Sequence, residues 1–209
     1  MLIGICGLIN SGKDTIANTL IEEYSFKKDS FASSLKDILS IIFNWDRKLL
    51  EGDTEESRNW RNQTDVWWSE KLNIPDFTPR KAMQLIGTDS IRNNFHNNIW
   101  VYTLLKRLEN VNDNENIVIT DCRFPSEINA IREKGGIIIR VIRSLPVWYD
   151  LGLQASKGCN QSIQKCNELN IHASEYSHLS IQEDYTIYND GNIIELKDKI
   201  RNLISTLYK

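Results

Sequence analysis

The 209-residue chain has few cysteines, no long apolar run and no excess of positive charge. Its four cysteines, Cys6, Cys122, Cys159 and Cys166, are irregularly spaced and too few to staple a chain of this length. That excludes a disulfide framework and predicts reduced thiols in a cytoplasmic setting. No apolar stretch approaches the roughly 18 residues that a membrane-spanning helix needs, so no membrane partner is expected. A formal net charge of −3 gives no general attraction to a polyphosphate backbone, which argues against long nucleic acid as a ligand. Internal repeats and low-complexity tracts are absent, and Met1 leads directly into a strand-like run, so no leader peptide is expected. With 41% hydrophobic and 25% charged residues, the composition is that of an ordinary globule, and two independent domains would be cramped.

What is present is an alternation of apolar runs and helical periodicities. Residues 2–6 are a short apolar strand, followed by a glycine-bracketed loop and a helix marked by Ile16, Leu20 and Ile21. A second short strand is expected at 26–31 and a helix at 33–43 with Leu35, Ile38, Leu39 and Ile42 on one face. Residues 45–80 turn charged, Asn-rich and Trp-rich, which reads as an insertion over a site. The stretch beginning at Arg80 predicts a helix that breaks near Gly87, and 98–111 a further amphipathic helix. Strands are expected at 116–121, 137–143 and 185–190, a helix between the first two, and a closing helix carrying Ile193, Leu196, Ile200, Leu203 and Leu207. Residues 144–183 read as irregular and polar. Strands alternating with helices predict a parallel sheet covered on both faces, with ligands at the carboxyl ends of the strands.

The loop "GLINSGKDT" satisfies G-x-x-x-x-G-K through Gly7, Gly12 and Lys13, between a strand and a helix as the mechanism requires. Gly7 and Gly12 let successive N–H groups curl toward phosphate, the helix N-terminus adds its dipole, and the Lys13 ammonium reaches the terminal phosphates. Asn10 and Ser11 complete the loop. Asp14 stands where a hydroxyl usually ligates Mg²⁺; a hard cation accepts a carboxylate there, directly or through water, leaving Thr15 to donate to a phosphate oxygen. Asp121 ends an apolar strand, as a Mg²⁺-organising aspartate does, and Arg123 two residues on is expected to clamp phosphate. Arg143, at the end of the next strand, is expected to begin a lid, and Arg140 to be a structural charge.

Together with "SSLKDIL", "RKAMQLIGTDSIRNNFHNNIWV", "ITDCRFPSEINAIREKGGIIIRVIR", "HASE" and "YNDG", the loop resembles the bacteriophage and large-virus deoxynucleoside monophosphate kinases. The resemblance spans nearly the whole chain and is weakest in 45–78 and 144–171. It implies a single P-loop kinase domain over 1–209, a three-layer α/β sandwich with a mostly parallel central sheet. An inserted acceptor-binding lobe is expected at 45–80 and a lid at 144–178. The implied reaction is transfer of the γ-phosphoryl group of ATP, with Mg²⁺, to a deoxynucleoside monophosphate, in a host cytoplasm if the protein is viral, and with a homodimer left open. It assigns the acceptor to Lys36, Arg80, Gln84 and Asp89, and the donor adenine to the segment of Asn189 and Asp190. A P-loop kinase of another small phosphate acceptor, of phosphomevalonate or dephospho-coenzyme A type, and a nucleotide-binding module without turnover are the alternatives; "MQLIGTD" favours the nucleotide. "NQTD" at 62–65 follows no strand and is discounted as a guanine-reading motif. Cys159, Cys166, His172 and His178 lack the tight spacing of a zinc site, and Trp45, Trp60, Trp67 and Trp68 are expected to pack rather than stack on a base.

Overall fold

The computed structural model describes residues 1–112 and 114–208; residues 113 and 209 of the expected 1–209 domain lie outside the described residues. The chain divides into two compact units, one made of residues 1–30 with 105–209 and the other of Phe31–Leu104. The elements run β1 (Leu2–Cys6), α1 (Lys13–Tyr24), β2 (Lys27–Asp29), α2 (Ser33–Phe43), α3 (Glu55–Trp60), α4 (Val66–Leu72) and α5 (Pro79–Gln84). A π-helical segment (Leu85–Arg92) precedes α6 (Ile99–Leu108), β3 (Ile117–Ile119), α7 (Pro125–Glu133) and β4 (Ile137–Ile142). Then come α8 (Tyr149–Ser156), α9 (Asn160–Glu168), α10 (Ala173–Tyr176), β5 (Tyr185–Tyr188) and α11 (Ile193–Leu207).

In the first unit the strands form one five-stranded sheet in the order β2-β3-β1-β4-β5, with every neighbouring pair parallel. Alternation along β1 sets the layers. Ile3 and Ile5 join Val118, Ile139, Val141 and Ile187 in a core with Ile16 and Leu20 of α1 and Leu196, Ile200 and Ile204 of α11. Gly4 faces the other way, where Ile131 of α7 and Ile138 close to within 3 Å of where its Cβ would stand. Helices therefore cover both faces, the expected three-layer sandwich, now with a fully parallel sheet. The connections reverse direction around β1, between β3 and β4, the position at which doubly wound sheets open a crevice at their carboxyl edge.

Residues 144–183 are not irregular: α8, α9 and α10 pack around Ala155, Cys166, Tyr176 and Leu179, with Leu8 of the glycine loop against the same cluster. These helices are short, and their apolar residues are spread thinly over 148–179, so little local periodicity marks them.

The second unit is built on aromatic packing. Trp45 stacks on Phe43 at 4.4 Å, Trp60 meets Trp45 edge-on at 5.8 Å, and Trp68 meets Phe43 edge-on at 5.0 Å. The Trp45 indole N–H donates to Asp65 (2.8 Å), and Asp65 also caps α4 by accepting from the Trp68 N–H (3.0 Å). The aspartate of "NQTD" is thus a cap and an indole partner, and these tryptophans pack as expected, with Trp67 left exposed. The expected helix break near Gly87 does not occur; the chain widens into the π-helical segment instead. Gly87 lies under Leu35, whose Cδ2 would be 2.4 Å from a Cβ there, and its carbonyl accepts the buried Trp100 indole N–H (2.7 Å). Glycine is used for close approach, which overrides its breaker tendency.

Candidate functional site

The first unit brings the glycine loop to the carboxyl end of its central strand. Gly7 (φ 147°) and Gly12 (φ 106°) hold backbone conformations open to glycine, and each is crowded: a Cβ at Gly7 would sit 2.5 Å from the Val141 carbonyl oxygen, one at Gly12 2.6 Å from Asn189 Nδ2. Asn10 is also left-handed (φ 61°), and exposed. The Ser11 N–H donates to Leu8 O (3.2 Å), and α1 starts at Lys13 with no side-chain cap on its N-terminus. Its first N–H groups and dipole are available to an anion.

Lys13 Nζ donates to Gly7 O (2.9 Å) and Leu8 O (2.7 Å), so the ammonium folds back over the loop. Burial pulls its pKa down to about 8, Arg123 pushes the same way, and Asp14 and Glu175 oppose them. These four charges therefore share one neighbourhood. Because a bound polyphosphate favours the ammonium, kcat/KM for the donor should fall as pH rises through about 8, while kcat should hold to higher pH. Paired pH profiles of the two constants check this.

Arg123 is set from two directions. Its main-chain N–H and that of Phe124 donate to Glu127 Oε2 (2.8 and 3.1 Å), which closes the first turn of α7 behind Pro125. Its guanidinium donates to Glu175 Oε1 and to Ser174 O, both at 3.1 Å. Glu127 is buried and fastens the segment that carries Arg123; a glutamate at the third position of a Pro-started helix is the sequence signal for this capping role. Nothing local in the sequence ties Glu175 to Arg123, 52 positions away. His172 caps α10 by accepting from the Ser174 N–H (3.2 Å), a structural task.

The remaining candidates fall into place unevenly. Asp121 is half-buried, two residues beyond β3, and the Cys122 N–H donates to Ile5 O (3.4 Å), which keeps this segment beside β1. Asp14 is exposed and Thr15 half-buried on the first turn of α1. Arg143 is exposed at the end of β4 and lines a small cavity with Gly7 and Ser11. Arg140 is structural, as expected: it is buried, pairs with Glu183 (2.8 Å) and donates to the carbonyls of His178 (3.1 Å) and Ile181. Asn189 braces the loop, its Nδ2 donating to Ser11 O (2.8 Å), and Asp190 is ion-paired with Lys199.

In the second unit, Lys36 is only 7% exposed and bonds Glu51 at 2.5 Å, a carboxylate shared with Arg47. Burial raises and the two cations lower the Glu51 pKa, with a net fall. Arg80 is half-buried on the first turn of α5, behind a Thr78 cap that accepts from the Lys81 N–H (3.0 Å). Gln84 is half-buried at the end of α5, and Asp89 is exposed on the π-helical segment. Among the described residues, no group of three or more His, Cys, Asp or Glu is placed to hold a metal ion.

A family model described as deoxynucleotide monophosphate kinase matches residues 50–151. An Acanthamoeba polyphaga mimivirus protein bearing that name is 31% identical over 153 residues, 68% of this chain and 74% of its own. The deoxynucleotide monophosphate kinase of Enterobacteria phage T4 is 27% identical over 260 aligned residues, covering 99% of both chains. Among solved structures, a dephospho-CoA kinase from Campylobacter jejuni superposes with a TM-score of 0.50 at 13% identity, covering 99% of this chain and 96% of that one. That likeness shows a shared kinase fold.

Proposed function

The chain belongs to the deoxynucleotide monophosphate kinase family, and from that premise we propose that it moves the γ-phosphoryl group of ATP onto deoxynucleoside monophosphates, yielding the diphosphate and ADP. The observation that carries this reading is Lys13, held over the glycine loop by the Gly7 and Leu8 carbonyls at the open N-terminus of α1. Phosphoryl transfer asks for gathered cations and N–H groups more than for covalent chemistry, and this corner of the fold supplies both. Viral relatives support a place of action in the cytoplasm of a host cell.

The residues present fit the two implied groups. Gly7 and Gly12 pack tightly against Val141 and Asn189 and so hold the loop at the uncapped start of α1, where Asp14 stands exposed beside Lys13. Magnesium of this type is held by one or two carboxylates together with nucleotide oxygens, which makes Asp14 and Asp121 its proposed protein ligands. ATP supplies the phosphoryl group, and Mg²⁺ offsets its charge. In the proposed mechanism the loop N–H groups and Lys13 hold the donor phosphates, Lys13 exchanging its two carbonyl partners for them. Arg123 and Arg143 neutralise charge on the moving group and keep water from it. Arg80, Gln84 and Asp89 orient the acceptor, together with Lys36, whose ammonium is paired with Glu51.

A coupled ADP-release assay across a panel of monophosphates tests the proposal. Turnover with deoxynucleotides, above that of matched ribonucleotides, is expected. Turnover only with dephospho-coenzyme A or phosphomevalonate, or none at all, contradicts it. The same assay tests Asp14. Asp14→Ala should raise the Mg²⁺ concentration needed for half-maximal rate several-fold, with Asp14→Ser recovering most of the loss; an unchanged half-point leaves Asp14 as a helix-start charge alone.

A further inference from the structure

Beside the glycine loop lies a pocket of about 20 Å³, lined on its inner side by Gly7, Ser11, Arg140, Val141 and His178 and at its mouth by the exposed Arg143. A space of this size holds about one water molecule, provided polar groups face it. They do. His178 is 2% exposed and Ser11 3% exposed, and among the described residues neither ring nitrogen of His178 nor the Ser11 hydroxyl has a hydrogen-bond partner. The reaction as proposed uses none of these three atoms.

Both residues are fixed through their main chains. Ser11 donates its N–H to Leu8 O (3.2 Å) and accepts at its carbonyl from Asn189 Nδ2 (2.8 Å), which presses its Oγ onto Gly7. The His178 carbonyl accepts from Arg140 Nη2 (3.1 Å) and from the Ile181 N–H (3.3 Å), tying the residue to β4 and to the turn after α10. Leu179, next to it, packs in the same cluster as Leu8. Burial, followed by Arg140, Arg123 and Lys13, holds the imidazole neutral, with a pKa pushed down to about 3. A neutral imidazole offers one donor and one acceptor, which suits a water and a hydroxyl.

We propose that this cavity is a one-water site built into the phosphate loop: a single internal water joins the His178 imidazole to the Ser11 hydroxyl, and through it His178 is a positioning residue for the loop that receives the donor nucleotide. The proposal rests on the phosphate-loop reading of residues 7–15. Leaving one such buried polar atom unsatisfied is worth about tenfold in an equilibrium, and here the loss falls on the loop geometry.

The test is a double-mutant cycle of His178→Phe and Ser11→Ala in the full-length protein, read as donor and acceptor KM. Each single substitution should raise donor KM by about tenfold, leave acceptor KM in place, and combine to no more than either alone. His178→Gln, which keeps a donor and an acceptor, should recover most of the effect. Multiplicative effects, equal shifts in both KM values, or a Gln variant no better than Phe would overturn the proposal. Should His178→Phe fail to fold, a crystal structure of the unaltered protein decides: a water within hydrogen-bond reach of both side chains supports the site, and a dry cavity or a direct imidazole–hydroxyl bond overturns it. Loss of turnover in Lys13→Ala separates the two readings, since it stands whether or not the water site does.

Discussion

Lys13→Ala should lower kcat by about 10²- to 10³-fold or more, while the melting midpoint stays close to that of the unaltered protein. The two halves of this expectation have different causes. Turnover is expected to fall because the Lys13 ammonium, held by the Gly7 and Leu8 carbonyls, is the group proposed to exchange them for phosphate oxygens. Stability holds because two effects oppose. The folded state holds the Lys13 pKa down at about 8 through burial and Arg123, so the charged lysine disfavours folding below that pH, and alanine removes the cost. Against this, two loop carbonyls lose their donor and turn to water. Rates from ADP release and a thermal melt on the same preparation measure both. Near-normal transfer would remove Lys13 from the mechanism, and a collapsed melt would make it structural.

Arg123→Ala should cost about 10³-fold in rate, as the removal of an arginine that neutralises a transferring phosphoryl group does, and Arg123→Lys should fall between. Glu175 Oε1 and Ser174 O both accept from one nitrogen, Nη1, and what a lysine lacks is the planar fork with which an arginine can pair two oxygens of a phosphate at once. Its main chain is separately fastened by Glu127, so either substitution leaves α7 capped and changes only the side chain's reach. Steady-state kinetics at saturating ATP give the measure. Unchanged rates in both variants would reduce Arg123 to a strap between the segment before α7 and α10.

The parts of this site that were legible in the sequence are those coded by contiguous residues. Gly7, Gly12 and Lys13 lie within seven positions, and the strand before them and the helix after them have clear periods. β4 and α11 were equally plain, one a run of isoleucines and the other an apolar stripe at helical spacing. What could not be read is what distant residues impose. Gly87 looks like a breaker until Leu35 is seen to fill the place its side chain would take. Lys36 reads as an acceptor-binding cation, yet Glu51, 15 residues on, receives its ammonium in a part-buried pair. Glu175 and His178 lie in a polar segment with no pattern, and acquire their surroundings only when α8 to α10 fold against Leu8.

Following the label from [γ-³²P]ATP tests the central claim most directly. Incubated with each deoxynucleoside monophosphate and Mg²⁺, the protein should move the label onto the β-position of the corresponding deoxynucleoside diphosphate, and Lys13→Ala should leave it on ATP. Label recovered only as inorganic phosphate, or on an acceptor that is not a nucleotide, would contradict the account.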